Sequence, residues 1–361
     1  MGDAAEQLQL LLSGMVARDV LEGLHVDDLF NCARYNALWE EAVLPLLATR
    51  LRFFALLQDR LEDPFTHSKF LEELHSRLAI AEKASKHPSF AMILCAEKHY
   101  DLSSIASCFP NDVSVVQMDV QCPVTAQRCG IKERRDASVC VLVFYGSPGA
   151  TFECEWSPYA ACGTPLAPAG LFDQLKRTIP LCGGEDVYRH RNTGLPARFA
   201  LYITNAFDRA AMFRRQPSLF DVGLCILWTP RLRIYPGTTQ VGSPAPAYWG
   251  AMSFGENVKA ACVKYAGRTT VLQMCNDLDT VRASLDDISD VLVLFFQEDE
   301  LKAPVVEAIC AAFEGAALVM GTACSLALDA NLCAFDIKPT GDVQISLCLQ
   351  TPVVVLVLVI R

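Results

Sequence analysis

The feature that most constrains the fold is a repeated alternation of apolar and amphipathic segments. Residues 90–118 and 199–228 each have the pattern of an apolar strand, a short helical stretch and a second strand. Residues 270–296 and 290–324 overlap, and together they predict a strand, helix, strand, helix, strand series with a shared strand at 291–296. Strands that are apolar along their whole length are typical of a sheet covered on both faces. The second part of the chain is therefore predicted to form mixed α/β layers.

Two further segments add strands to this prediction. The run VVVLVLVI at 353–360 is too short to span a membrane and is rich in valine, which favours a buried strand. The segment 137–156 combines apolar runs with a Gly/Pro-rich turn, which indicates some antiparallel pairing.

Residues 6 to about 85 have a helical pattern instead. Asp27 or Asp28 is expected to cap a second helix, and a third is expected to run until Pro45 interrupts it. The helical phase continues through LRFFALLQDRLED at 51–63 and beyond. We therefore predict an α+β chain with a short three-helix segment at 6–50, a helical linker at 51–88 and an α/β domain at 89–361.

Composition excludes several classes of function. The chain has 361 residues and a formal net charge of −10, with no long basic run that would favour nucleic acid or an anionic membrane. Its 16 cysteines include no C-x-x-C pair and lack histidines at zinc-site spacing, so we expect no metal. The chain is long and opens without a basic stretch that leads into an apolar segment, so we expect no secretory signal and no disulfides. Thiols in apolar runs, such as Cys95 and Cys140, are expected to pack as small hydrophobic groups. A reducing compartment follows, and we expect a cytoplasmic protein, with the nucleus left open.

No residue is assigned to catalysis, and no cofactor is expected. The four histidines of the helical region, including His67, are read as surface residues. The weakest of the functional alternatives is an enzyme with a cysteine nucleophile, in the loop that holds Cys182 and His190. Gly321 is predicted to form a turn after a buried strand, where backbone amides face a crevice, and is the candidate ligand-binding residue.

The segment VLEGLHVDDLFNCARYNALWEEAV at 20–43 resembles an F-box. That family uses three short helices with apolar residues at characteristic spacings and a tryptophan near the end. The positions that match the pattern are Val20, Leu21, Leu24, Leu29, Cys32, Ala33 and Trp39. The resemblance implies that Leu21, Leu24, Leu29, Ala33 and Trp39 bind the adaptor Skp1. We expect Leu29, Ala33 and Trp39 to be divided between the motif's own core and this partner.

The region 89–361 resembles a FIST-type domain. The similarity lies in FPNDVSVVQMDVQCPV at 109–124 and in the strand, helix and strand at 290–324. Family members continue into further strands and helices, so the resemblance implies that the sequence stops inside that domain at Arg361.

The two resemblances together imply a non-catalytic substrate-recognition subunit of a cullin-RING ubiquitin ligase. The helices would bind Skp1, and the α/β domain would hold a protein substrate that the sequence does not identify. The alternative is a FIST-type module that binds a small molecule and has no ligase role. Joint exposure of Leu24, Leu29 and Trp39 would favour the first hypothesis, and their burial against the α/β domain would favour the second.

Overall fold

A computed structural model of the chain defines the fold over part of its length. The residues that it describes are 20–58, 64–96, 102–120, 124–127, 134–158, 175–178, 187–190, 193–204, 223–228, 232–235, 247–255, 257–265, 271–283, 285, 291–298, 303–314, 316–323, 336–337, 343–344 and 353–360. Its helices are α1 Val26–Tyr35, α2 Ala37–Arg50, α3 Pro64–Lys83, α4 Ser103–Ala106, α5 Val271–Ala283 and α6 Ala303–Ala312.

The strands run through the whole of the described chain. They are β1 Phe53–Gln58, β2 Pro88–Cys95, β3 Ser114–Asp119, β4 Val124–Gln127, β5 Arg134–Ala137, β6 Val139–Tyr145, β7 Thr151–Pro158, β8 Leu175–Thr178, β9 Val187–His190, β10 Ala197–Thr204, β11 Gly223–Trp228, β12 Leu232–Tyr235, β13 Ala247–Phe254, β14 Val258–Tyr265, β15 Val291–Glu298, β16 Ala317–Ala323, β17 Asp336–Ile337, β18 Val343–Gln344 and β19 Val353–Ile360.

Three sheets contain most of these strands, and β8 with β9 and β17 with β18 form two separate two-stranded sheets. The first has the order β1-β6-β2-β3-β12, the second β11-β10-β13-β7, and the third β14-β19-β15-β16-β4-β5. Strand pairs β2–β3, β10–β11 and β15–β16 are parallel, as expected for strand-helix-strand units, and most other pairs are antiparallel. The chain is thus a mixed α and β protein, which confirms the coarse fold class.

The first sheet separates two hydrophobic clusters. Ala91 and Ile93 of β2 pack with α1, α2 and α3, whereas Met92 and Leu94 pack with residues of the other two sheets. This division follows from the strand's period of two, since successive side chains point to opposite faces. One face of the first sheet is therefore covered by helices and the other by strands, which explains why β2 is apolar throughout.

The third sheet is covered in the same manner. Leu292 and Leu294 of β15 join the cluster between the sheets, while Val293 and Phe295 join a cluster with α5 and α6. The segment 353–360 forms β19, which pairs antiparallel with β14 on one side and β15 on the other. The predicted strand is confirmed, and it occupies an internal position of the sheet.

The linker prediction was partly wrong. Residues 53–58, which were assigned to a helix, form strand β1 at the edge of the first sheet and pair antiparallel with β6. Its side chains alternate between half-buried and buried, with Phe54 and Leu56 turned into the helix-covered core. Within the same predicted linker, Pro64–Lys83 forms helix α3, as predicted. Pairing with β6 and burial at period two outweighed the local helical pattern.

Three local predictions also need correction. Helix α2 continues through Pro45, because packing of Val43 and Leu47 in the core offsets the backbone hydrogen bond that proline removes. Helix α1 is preceded by His25 at its N-cap, so Asp27 and Asp28 lie in its first turn rather than capping it. Val271, read as part of a strand, begins helix α5.

Two turns contact each other where the chain passes between sheets, one after β6 and the other after β13. Gly255 has a φ of +119°, and a Cβ added there would lie 2.0 Å from the carbonyl oxygen of Gly149. The amide of Asn257 donates to the same oxygen at 3.1 Å. Glycine is therefore required at 255 by both conformation and space.

Candidate partner-binding surface and adjoining polar networks

Helices α1 and α2 pack against each other, and both are anchored in the core. Leu29 and Phe30 of α1 and Val43 and Leu47 of α2 are fully buried. They belong to the cluster that includes Phe54 of β1 and other residues of the first sheet. The helical pair and the sheet consequently share one hydrophobic core.

Three of the five predicted Skp1-binding residues are buried. Leu21 is 1% exposed, Leu29 is 0% and Ala33 is 5%, whereas Leu24 and Trp39 are half-buried against the same cluster. The expectation that Leu24, Leu29 and Trp39 are exposed together is not met, because Leu29 is buried in the cluster shared with the first sheet and Leu24 and Trp39 pack against that cluster. Of the three residues expected to be divided, Leu29 and Ala33 lie in the core and only Trp39 retains partial exposure.

Other apolar side chains of the helical pair reach solvent. Val20 is 57% exposed, Tyr35 78% and Leu38 48%. Tyr35 and Leu38 flank Asn36 at the junction of the two helices, and Val20 lies toward the other end of α2. After Ala37, the exposed residues of α2 recur at helical spacing, in the order Leu38, Glu41, Pro45 and Thr49. We call Tyr35 together with these four residues the outer face of the helical pair.

Side chains fix the ends of α2. The amide of Trp39 donates to Asn36 Oδ1 at 3.0 Å, which makes Asn36 a true N-cap. At the other end Arg50 donates to the carbonyl oxygens of Glu22 and Leu24, at 2.9 and 2.7 Å. The orientation of the outer face is thus set by defined polar contacts as well as by the core.

A buried arginine joins the helical pair to α3. Arg77 is 1% exposed, pairs with Asp27 of α1, and donates from Nε to Glu73 Oε1 at 2.8 Å. Its guanidinium carbon lies 5.2 Å from the ring centre of Phe30 and 5.6 Å from that of Phe54. Glu73 also pairs with Arg34 at the surface. We call Asp27, Arg34, Glu73 and Arg77 the Arg77 network.

A second polar group lies farther toward the N-terminus of α3. His67 Nδ1 is 3.1 Å from Gln58 Oε1, and His67 Nε2 is 3.1 Å from Ser104 Oγ. Gln58 is 2% exposed at the end of β1, while His67 and Ser104 are half-buried. We call these three residues the His67 network. The sequence analysis missed it because its members are far apart in the chain and follow no local motif.

Two thiols of the first sheet are fully buried, and Cys108, which follows α4, is half-buried. Cys95 and Cys140 are 0% exposed, as expected for cysteines in apolar runs. Burial raises the pKa of the Cys140 thiol to about 12 and that of Cys108 to about 11. Cys108 Sγ lies 3.4 Å from the carbonyl oxygen of Ser104, so it reports on the surroundings of the His67 network.

The remaining candidates fall in other positions. Gly321 lies inside β16, paired with Phe296 of β15, so the predicted turn is wrong because the strand continues to Ala323. Cys182 is outside the described residues, and His190 ends β9. In the part of the chain that the structure describes, no group of three or more His, Cys, Asp or Glu is placed to hold a metal ion.

Comparisons with known proteins leave the family open. No family model matches the chain, and no curated protein is similar to it. Among the described helices, none combines the length and the apolar character that crossing a membrane requires.

Proposed function

We propose that the chain is a substrate-recognition subunit of a Skp1-cullin-F-box ubiquitin ligase. In this role the N-terminal helices bind Skp1, and the α/β part, which resembles a FIST domain, holds a protein substrate. Catalysis of ubiquitin transfer comes from the other ligase components, and this chain raises the effective concentration of substrate near the ubiquitin-loaded enzyme.

The observation that supports the proposal is the exposed apolar surface at the junction of α1 and α2. Tyr35 and Leu38 are largely exposed on a helical pair whose other apolar face is buried. Aromatic and aliphatic side chains presented on a fixed helix are typical anchors of protein interfaces. The burial of Leu21, Leu29 and Ala33 gives those residues a supporting role, and the proposed contact residues become the outer face with the half-buried Trp39.

The test is a binding measurement between purified Skp1 and the full chain. The double variant Tyr35→Asp/Leu38→Asp is expected to weaken binding by about 30-fold or more, since loss of an interface hot spot costs about 2 kcal/mol. Leu272→Asp is the matched control, because Leu272 is 72% exposed on α5, far from α1 and α2 in the sequence. Equal binding by the native chain and the double variant would reject the outer face as the docking surface.

The burial of Leu29 favours a second candidate, a FIST-type module that binds a small molecule. Leu29 packs in the core shared with the first sheet, as expected if the helices serve as a cover for that sheet. Failure of the native chain to bind Skp1 at all would leave this candidate in place of the ligase subunit.

A further inference from the structure

The His67 network lies at the end of the first sheet where β1, β2 and β3, which run in the same direction, terminate. Strands β1 and β2 each pair antiparallel with β6, and β2 is parallel to β3. The carboxyl ends of β1, β2 and β3 therefore meet at one edge, which is the usual position of sites in sheets with parallel strands. Gln58 is the last residue of β1, and α4, which holds Ser104, follows β2.

The hydrogen bonds give each atom of the network a definite role. Gln58 Oε1 is only an acceptor, so the tautomer of a neutral imidazole that fits this contact has its proton on His67 Nδ1. His67 Nε2 then has a free lone pair, which accepts the proton of the Ser104 hydroxyl. A hydroxyl bonded to a base that a third group orients is the arrangement found in serine nucleophile sites.

The three members of the network differ in burial. Gln58 is almost fully buried, whereas His67 and Ser104 both keep part of their surface exposed. The backbone of Ser104 is held as well, because its carbonyl oxygen accepts from Ser107 Oγ at 2.8 Å. The network thus combines a fixed base with a hydroxyl that solvent can reach.

We propose that Ser104 is a nucleophile toward small acyl esters, with His67 as its general base and Gln58 as the positioning residue. Ser104 Oγ attacks the ester carbonyl carbon as its proton passes to His67 Nε2. The bond to the alcohol oxygen breaks, and that oxygen takes the proton from Nε2. Water then attacks the acyl-serine with His67 as base, and the proton returns to Ser104 Oγ. The products are the free acid and the alcohol.

The test uses an alkyl fluorophosphonate on the purified full chain without Skp1, so its result is independent of the proposed ligase role. Ser104 Oγ displaces fluoride from phosphorus and gives a stable phosphonyl-serine, which peptide mass spectrometry locates. We expect label on Ser104 and none in Ser104→Ala. Ser68→Ala, which changes an exposed serine of α3 next to His67 in the sequence, is the matched control and should be labelled at the native rate.

The base and its orienting group are tested by rate. His67→Gln should slow labelling by about 10²-fold to 10⁴-fold, the usual contribution of a general base. Gln58→Leu should slow labelling as well. Gln58→Glu should keep the native labelling rate, because a carboxylate oxygen also accepts from Nδ1. Thermal unfolding identifies variants that fail to fold. If His67→Gln fails to fold, the labelling rates of Gln58→Leu and Gln58→Glu test the proposal instead. Absence of label on Ser104, or an unchanged rate in a folded His67→Gln or Gln58→Leu, would overturn the proposal.

Discussion

Helix α3 contributes to two polar networks that differ in charge and in burial. The Arg77 network buries a full positive charge, which Asp27 and Glu73 balance, beside the rings of Phe30 and Phe54. The His67 network, about 15 Å away along the helix axis, joins polar side chains without an ion pair and stays partly open to solvent. Charge balance under full burial is typical of a structural clamp, whereas a half-exposed chain of hydrogen bonds leaves a side-chain oxygen accessible to solvent.

The largest effect is expected from breaking the Arg77 network. Arg77→Met keeps much of the apolar stem but leaves Asp27 and Glu73 without their buried cation. We expect the free energy of unfolding to fall by about 3–5 kcal/mol, the usual cost of removing one partner of a buried ion pair. Urea denaturation measures this as a lower midpoint at an unchanged slope.

Arg34→Met provides the matched control for that measurement. The Arg34 side chain is 41% exposed in its pair with Glu73, and an exposed ion pair contributes about 1 kcal/mol or less. A loss for Arg77→Met no greater than that for Arg34→Met would show that the buried network is not a clamp.

The next effect concerns the helix that the clamp holds in place. Leu29→Ala is expected to cost about 2–5 kcal/mol, because a fully buried leucine leaves a cavity between α1 and the first sheet. Leu38→Ala on the outer face should change stability by no more than about 0.5 kcal/mol. Chemical denaturation of both variants gives the comparison, and similar losses would mean that Leu38 also belongs to the core.

A smaller effect is expected from the His67 network. His67→Gln replaces two neutral hydrogen bonds by at most one or two others, so the loss of stability should be about 1 kcal/mol. Denaturation under the conditions used for Arg77→Met makes the two values comparable. A loss of the same size as that of Arg77→Met would give both networks the same structural role.

The smallest effect is one of chemical reactivity at Cys108, beside the His67 network. Burial raises the pKa of this thiol to about 11, so at pH 8 far less of it is thiolate than in an ordinary cysteine. We expect alkylation by iodoacetamide to be about a hundredfold slower than in the urea-unfolded chain, and to accelerate as pH rises toward that pKa. Site-resolved mass spectrometry measures the rate, and equal rates in the folded and unfolded chain would contradict burial around α4.

The strands that the sequence predicts best are those whose whole length is apolar. Runs such as PSFAMILC in β2 and VVVLVLVI in β19 indicate strands because they are short, rich in aliphatic residues and lack helical periodicity. Strand β1 was missed because LRFFALLQ suits either a helix or an edge strand, and its pairing partner β6 lies far away in sequence. Local pattern cannot reveal a partner that tertiary pairing supplies.

Within the helical pair, buried and exposed residues were harder to distinguish from the sequence. Leu29 and Leu38 are both leucines of the helical pair, yet one is buried and the other is half exposed. The deciding contact comes from the first sheet, which turns the α1 stripe inward. The His67 network was likewise invisible in the sequence, because Gln58, His67 and Ser104 meet only when β1, α3 and α4 pack together.

The internal position of β19 has a consequence for synthesis of the chain. Its two partners, β14 and β15, both leave the ribosome before it does, and each must wait with an open strand edge until residues 353–360 emerge. Open edges of apolar strands pair readily with other chains. A nascent chain therefore passes through a period in which its third sheet is incomplete, and chaperones that shield strand edges would protect it during that time.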